Sequence, residues 1–276
     1  MQGSSGPHRD FLGFGGVLAP LSGFSHLAGF PHQKPVGLGT NYPDYVVNPG
    51  HAAVAVLAAL RWRRRTGKGQ RIEVSQLEST VSALGPYLMD YLANGRVAER
   101  SGNRHPAAAP HGAYPCAGDD RWCVIAVFTD AQWDALCEVM GRPAWCQDAR
   151  FATLLGRKAH EDELEARLAE WTRTKTAEEV MDLLQARGVP AGVVQTAEDV
   201  LDRDEHLRQR GFYVYLDHPE AGRSAYDGPH FRLQRTPGRL RSPAPLLGQH
   251  NDYVAREILG LTDEQIAEYV IEQVIY

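Results

Sequence analysis

Three stretches bring together residue types that could do chemistry. Gly13-Phe14-Gly15-Gly16 opens the apolar run GFGGVLAPLSG, and glycines there would let the backbone come close to a ligand. A phosphate-cradling loop would need a strand before it and a helix after it. The run continues instead into a proline-bearing apolar stretch, which fits that role poorly. His105-Pro106-Ala107-Ala108-Ala109-Pro110 is the second stretch, small enough for close approach to a substrate and equally suited to an interdomain hinge. His111 beside it reads as structural. The third stretch, NYPDYVVNPG, holds Asp44, whose plain reading is a hydrogen-bonding residue at the approach to a helix. Arg61, Arg63, Arg64 and Arg65 could meet phosphates, and pairing with a helix end explains them as well. The four cysteines, Cys116, Cys123, Cys137 and Cys146, have no metal-ligand spacing, so no metal site is expected; no permanently bound cofactor is expected either.

Composition narrows the partners. A net charge of -5 and a pI near 6.1 argue against nucleic acid and anionic membranes. The longest apolar run, Ala52 to Leu60, is too short to span a bilayer, and the first residues do not read as a signal peptide. With thiols that read as reduced, a cytoplasmic protein is expected.

The elements that would position these stretches are legible in part. The first forty residues are rich in Gly, Pro and Ser, yet Phe11, Leu12, Phe14, Leu18 and Leu21 predict a packed segment. Asn48 as cap and Pro49 at the first helical position predict a helix through Arg65, buried at its apolar centre. A short strand is expected over RIEVS, Arg71 to Ser75. Ser75 with Glu78 then opens a helix running to Tyr91. After the breaker-rich stretch Gly95 to Gly112, AYPCAGDDRWCVIAV predicts two strands around a Gly-Asp turn. Capping-box patterns at Thr129/Gln132, Thr176/Glu179, Thr196/Asp199 and Thr262/Gln265 mark further helices, and GVPAGVVQ reads as a short buried strand. GFYVYLDHP and PHFRLQRTP read as a strand pair. The expected domains are 1–112, a large-domain portion; 113–209, a small α/β domain; and 210–276, a return to the large domain.

Four segments in order, TGKGQRIEVSQLES, GNRHPAAAPHGAYPCAGDDRW, GVPAGVVQTAEDVLDRDEHLRQRGF and SPAPLLGQHNDYVAREILGLTDEQI, resemble family III coenzyme A transferases. That group includes formyl-CoA and carnitine-CoA transferases and 2-methylacyl-CoA racemases. The resemblance implies an α/β fold of the interlocked-dimer type, with a partial large domain plus a small α/β domain. It also implies that coenzyme A enters as a substrate moiety, with acyl-CoA and carboxylic acids as the small-molecule partners and a homodimer or a heterodimer with a relative as the assembly. The family's amino-terminal Rossmann part has no counterpart here, and Gly3, Ser4 and Ser5 in GSSGP resemble its G-Q-T-G-P loop.

In the family, an Asp carboxylate attacks the thioester carbonyl and expels the CoA thiolate, giving a mixed anhydride. The thiolate then forms an aspartyl-CoA thioester and releases the first acid, and the acceptor acid takes the CoA. The segment Gly13 to Gly23 matches the family's G-(Y/F)-D-x-x-x-Q-A-x-S-G, with Gly15 at the nucleophile position, Gly16 beside it, and Ala19-Pro20 in place of Gln-Ala. Asp10 is five residues upstream. By resemblance, Asp44 stands where the racemases carry a proton-exchanging Asp, but the partner base position is Phe14, which disfavours racemase chemistry. His105 to Ala109 fall where transferases carry a loop over the acyl group. The expected function is CoA transfer with Asp44 as the candidate catalytic carboxylate. The alternatives are a non-catalytic subunit partnering an active relative and a racemase-like isomerase. A reading frame whose true start lies upstream of Met1 would explain the absent half, though not Gly15.

Overall fold

Short helices and two small antiparallel sheets build the computed structural model, which describes residues 1–40 and 42–275. Asn41, in the stretch before Asp44, lies outside the described residues. The chain divides into two units, Met1–Val194 and Gln195–Tyr276.

The packed core of the first unit sits on a three-stranded sheet in the order β1 (His111–Pro115), β2 (Trp122–Ala126), β3 (Ala191–Val193), all antiparallel. Strand β2 alternates as a sheet with one covered face must: Cys123 and Ile125 are buried, while Trp122 and Val124 are exposed. Three helices close over it, α6 (Asp130–Val139), α8 (Glu161–Thr172) and α9 (Ala177–Gln185). In α8, Leu164, Leu168 and Thr172 are buried at successive four-residue steps; in α9, Ala177, Val180 and Leu184 are buried at a three- and then a four-residue step. Each fully buried leucine contributes about 2 kcal/mol of transfer free energy. The boxes at Thr129/Gln132 and Thr176/Glu179 both form reciprocally, so α6 and α9 start where their sequences say.

Before this core lies a helical layer: α1 (Gly15–Ser22), the one-turn α2 (Phe24–Leu27), a π-turn over Pro43–Val47 that runs straight into α3 (Asn48–Thr66), α4 (Gln76–Ser82) and α5 (Gly85–Asn94). Several expectations change here. Asn48 does not cap α3: it is inside the helix and buried, and its amide oxygen accepts from Ser79 Oγ. The middle of α3 is uncovered, with Val54, Val56 and Leu57 all exposed. RIEVS forms no strand, since a strand is stable only when its N–H and C=O groups find a ladder partner, and no segment among the described residues supplies one. The helix expected from Ser75 to Tyr91 breaks at Ala83 and Leu84, where Pro86 lacks the N–H that a continuous helix would use.

A fully buried arginine ties the segment before β1 to the helices of the core. On α7 (Leu154–Ala159), Arg157 donates through Nε to the Ala109 carbonyl at 2.8 Å and through Nη1 to the Phe151 carbonyl at 3.1 Å. Its Nη2 reaches Asp130 Oδ1 at 3.0 Å, and its guanidinium lies over Trp133.

In the second unit, a π-turn over Asp199–Arg203 follows the reciprocal Thr196/Asp199 pair and leads to α10 (Glu205–Arg210). The hairpin is β4 (Tyr213–His218) with β5 (Gly222–Asp227). PHFRLQRTP, expected as the second strand, is not one: the tight turn at His218, whose Nδ1 accepts from Glu220 and Ala221 N–H, hands the chain to β5 first. The unit closes with α11 (Asn251–Tyr253), a π-turn and α12 (Asp263–Ile271), the last opened by the Thr262/Gln265 capping box.

Candidate functional site

The helical layer brings the nucleophile-position segment and Asp44 into one assembly. Helix α1 packs against α4 and against the π-turn, and α4 packs against the π-turn and α3. Gly15 is the buried first residue of α1, and Gly16 beside it is exposed. Gly23 ends this helix with φ 97°, a left-handed backbone that a glycine adopts without strain. Leu18 anchors the helix with no exposed surface.

Asp44 is half-buried in the first turn of the π-helical segment, and Gln76 Nε2 on α4 donates to its Oδ1 at 3.2 Å. One turn on, Asn48 and Ser79 make the second bridge between the same elements. Asn48 Nδ2 is buried and makes no hydrogen bond with the described residues. The sequence reading missed Gln76, Asn48 and Ser79 as partners, because each contact joins positions about thirty residues apart.

Asp10 lies elsewhere, on an exposed turn, paired with Arg9 at 3.4 Å. Gly3 takes φ 109°, and Ser4 donates through both its N–H and its Oγ to the Glu73 carboxylate. Those two bonds hold the Glu73 carboxyl below the usual carboxylate range. Ser5 is exposed. The GSSGP loop is thereby fastened to the segment that had been expected to be a strand.

The HPAAAP segment is pinned rather than loose. Ala108 and Ala109 have no exposed surface, whereas Pro106 and Ala107 are exposed. Ala109 N–H donates to the Val127 carbonyl at 3.1 Å and Val127 N–H to the Pro110 carbonyl at 2.9 Å. Lys158 Nζ donates to the His105 carbonyl at 3.0 Å and to Glu161. The small side chains at 108 and 109 therefore serve packing against the sheet. Preceding them, Gly102 has φ 61° and a Cβ there would lie 2.6 Å from the Phe30 ring, so this position admits only glycine.

Two cavities flank β1. One, of about 540 Å³, is lined by Asn103, His111, Gly112, Val124 and Pro190 among others. The second, of about 400 Å³, is lined by Phe30, His32, Ser101, Arg104 and Tyr114. Both are within the range of small-molecule sites. Burial pushes the Cys116 thiol up, and that of Cys123 up to about 12, which keeps both protonated and unreactive. Among the described residues, no group of His, Cys, Asp and Glu is arranged to hold a metal ion, and no helix is long and apolar enough to cross a membrane.

Comparison with known proteins extends the likeness over nearly all of these elements. The succinyl-CoA–D-citramalate CoA-transferase of Chloroflexus aurantiacus is 34% identical over 273 residues, covering 99% of this chain and 67% of that protein. The succinyl-CoA–L-malate CoA-transferase beta subunit of the same organism is 32% identical over 277 residues, again 99% of this chain and 67% of that one. A solved CAIB/BAIF family protein from Brucella suis superposes with a TM-score of 0.84 at 28% identity, over 93% of this chain and 66% of that one. The chain thus spans about two thirds of the length of these relatives. A match to CoA-transferase family III runs over residues 1–251, and with the α/β fold shared at that TM-score, the chain belongs to CoA-transferase family III.

Proposed function

We propose that this chain acts in coenzyme A transfer between an acyl-CoA thioester and a carboxylic acid. The observation that carries the reading is the assembly of α1, the Asp44 turn and α4 within a chain that matches the family over residues 1–251. In this reading Asp44, oriented by Gln76, is the carboxylate nearest to the chemistry in the chain itself. Gly3, Ser4, Ser5, Gly15 and Gly16 form the backbone against which the substrate lies. His105, Pro106 and Ala107, the accessible part of the HPAAAP segment, border the acyl group. Family relatives named for succinyl-CoA transfer to citramalate or malate point to short acyl groups and acids as the substrate class.

Gly15 supplies no nucleophilic oxygen, so the covalent route through a mixed anhydride requires a carboxylate from elsewhere. This favours a second reading, a subunit that pairs with a catalytic relative. Two similar proteins, named as the alpha and beta subunits of one succinyl-CoA–L-malate CoA-transferase, make a two-subunit arrangement a concrete precedent. The uncovered apolar face of α3 suits a heterodimer or a homodimer.

The test is mass spectrometry of the purified chain after incubation with succinyl-CoA and with other acyl-CoA thioesters, alone and co-expressed with a catalytic relative. Transfer by the chain alone, lost in Asp44→Asn, supports the first reading. Transfer only in the co-expressed pair, with the adduct on the relative, supports the second. Absence of exchange and of adduct in every combination overturns both.

A further inference from the structure

His105 and His111 hold opposite tautomers. Ala107 N–H donates to His105 Nδ1 at 3.1 Å, so that nitrogen keeps its lone pair and the ring proton resides on Nε2. His111 Nδ1 donates to the Asn103 carbonyl oxygen, which leaves its Nε2 as a bare acceptor. The two rings lie 5.4 Å apart, and Phe128 stands edge-on to both at 5.5 and 6.0 Å. Neither Nε2 makes a hydrogen bond with the described residues, and both rings are half-buried.

We infer that His105 and His111 together bind a carboxyl group of a dicarboxylic substrate, the one that does not react with CoA; this rests on the CoA-transfer reading. One carboxyl oxygen accepts from His105 Nε2–H. The other shares a proton with His111 Nε2, either as a neutral acid against imidazole or as a carboxylate against imidazolium. Protonating His111 at Nε2 breaks no existing bond, whereas protonating His105 at Nδ1 would break the one from Ala107.

The cations beside the pair are already engaged by carboxylates: Arg104 by Asp162, Glu165 and Glu161, and Lys158 by Glu161. Lys158 is further engaged by the His105 carbonyl. His111 opens onto the cavity of about 540 Å³, large enough for a short diacid and bordered by the apolar Val124, Ile125 and Pro190, while His105 and Phe128 adjoin it through their ring contacts with His111.

The experiment is imidazole ¹⁵N NMR of the full chain titrated with succinate and, separately, with butyrate, in which a methyl replaces one carboxylate. Succinate should shift the His111 Nε2 resonance from the acceptor type toward the protonated type. It should bind about tenfold more tightly than butyrate, as expected for one charge-assisted hydrogen bond. His111→Gln should reduce that preference to near unity while circular dichroism shows an unchanged fold. Equal binding of the two acids by the native chain, or a preference retained in folded His111→Gln, overturns the inference. Should His111→Gln fail to fold, the contrast between the acids on the native chain still decides. The titration requires no CoA, so succinate preference without CoA exchange removes only the transfer reading. Exchange with equal use of the two acids removes only the histidine pair.

Discussion

Arg157 Nε donates to the carbonyl oxygen of Ala109 at 2.8 Å, across 48 residues of sequence, and both groups are fully buried. This single bond joins the end of the HPAAAP segment to the helical side of the core. Its guanidinium also satisfies the Phe151 carbonyl and Asp130, so one side chain serves three acceptors. Arg157→Leu would leave two buried carbonyls without donors. The expected loss is about 3 kcal/mol, since each stranded buried acceptor costs about 1–3 kcal/mol. Urea unfolding followed by tryptophan fluorescence measures it; a midpoint within error of the native chain would show that water replaces the arginine at no cost.

Acid stability should follow the surface carboxylates that arginines and backbone N–H groups hold in the charged form. Hydrogen bonds from Arg150 to Asp148 and from Arg104 to Asp162, and the Leu207 N–H to Asp204, lower these three carboxyls from their ordinary value. A lowered folded-state pKa stabilises above the unfolded value, and the gain is lost as pH falls through the folded one. The thermal midpoint should therefore fall as the solution is acidified below about pH 4, the unfolded range. In the triple variant Asp148→Asn, Asp162→Asn, Asp204→Asn the curve should be flatter over that range. Asp162 is exposed and Asp148 and Asp204 are half-buried at the surface, so the effect of each is small. An identical pH curve for the two proteins would refute the attribution.

Placing a carboxylate at the start of α1 tests the alignment of GFGGVLAPLSG with the family's nucleophile segment. Gly15 is the first residue of that helix, where the exposed N–H groups favour an anion. Gly15→Asp, with a catalytic relative co-expressed, should yield a trapped CoA adduct on this chain by mass spectrometry. A folded, CoA-binding variant with no adduct would mean that Ala19 and Pro20 hold the loop in a different place.

Self-association should depend on the open face of α3. Val54 and Leu57 are 69% and 66% exposed on one helix, and Leu92 on α5 is 77% exposed. Apolar surface of this extent marks association sites. Size-exclusion chromatography with light scattering should show a species larger than a monomer, and Leu57→Glu should shift it toward the monomer. A monodisperse monomer for the native chain would contradict this.

What the sequence determined by itself is local. The capping boxes at Thr129, Thr176 and Thr262 formed because a cap links residues three apart, so a tetrapeptide contains its own answer. The same holds for the strands around Gly118 and for the spacing of Leu164 and Leu168. The family likeness was also legible, since it rests on residue identities. Only the tertiary structure decided what depends on distant partners. RIEVS has strand-forming residues but no strand beside it among the described residues, and α3 has a buried-helix composition but an exposed centre. The partner of Asp44 is Gln76, the anchor of Ala109 is Arg157, and the Asn103 carbonyl sets the ring orientation of His111, a residue that the sequence alone reads as structural. Composition and periodicity record which groups a chain holds, whereas a hydrogen bond needs two groups within about 3 Å, and only the folded chain brings residues so far apart in sequence that close.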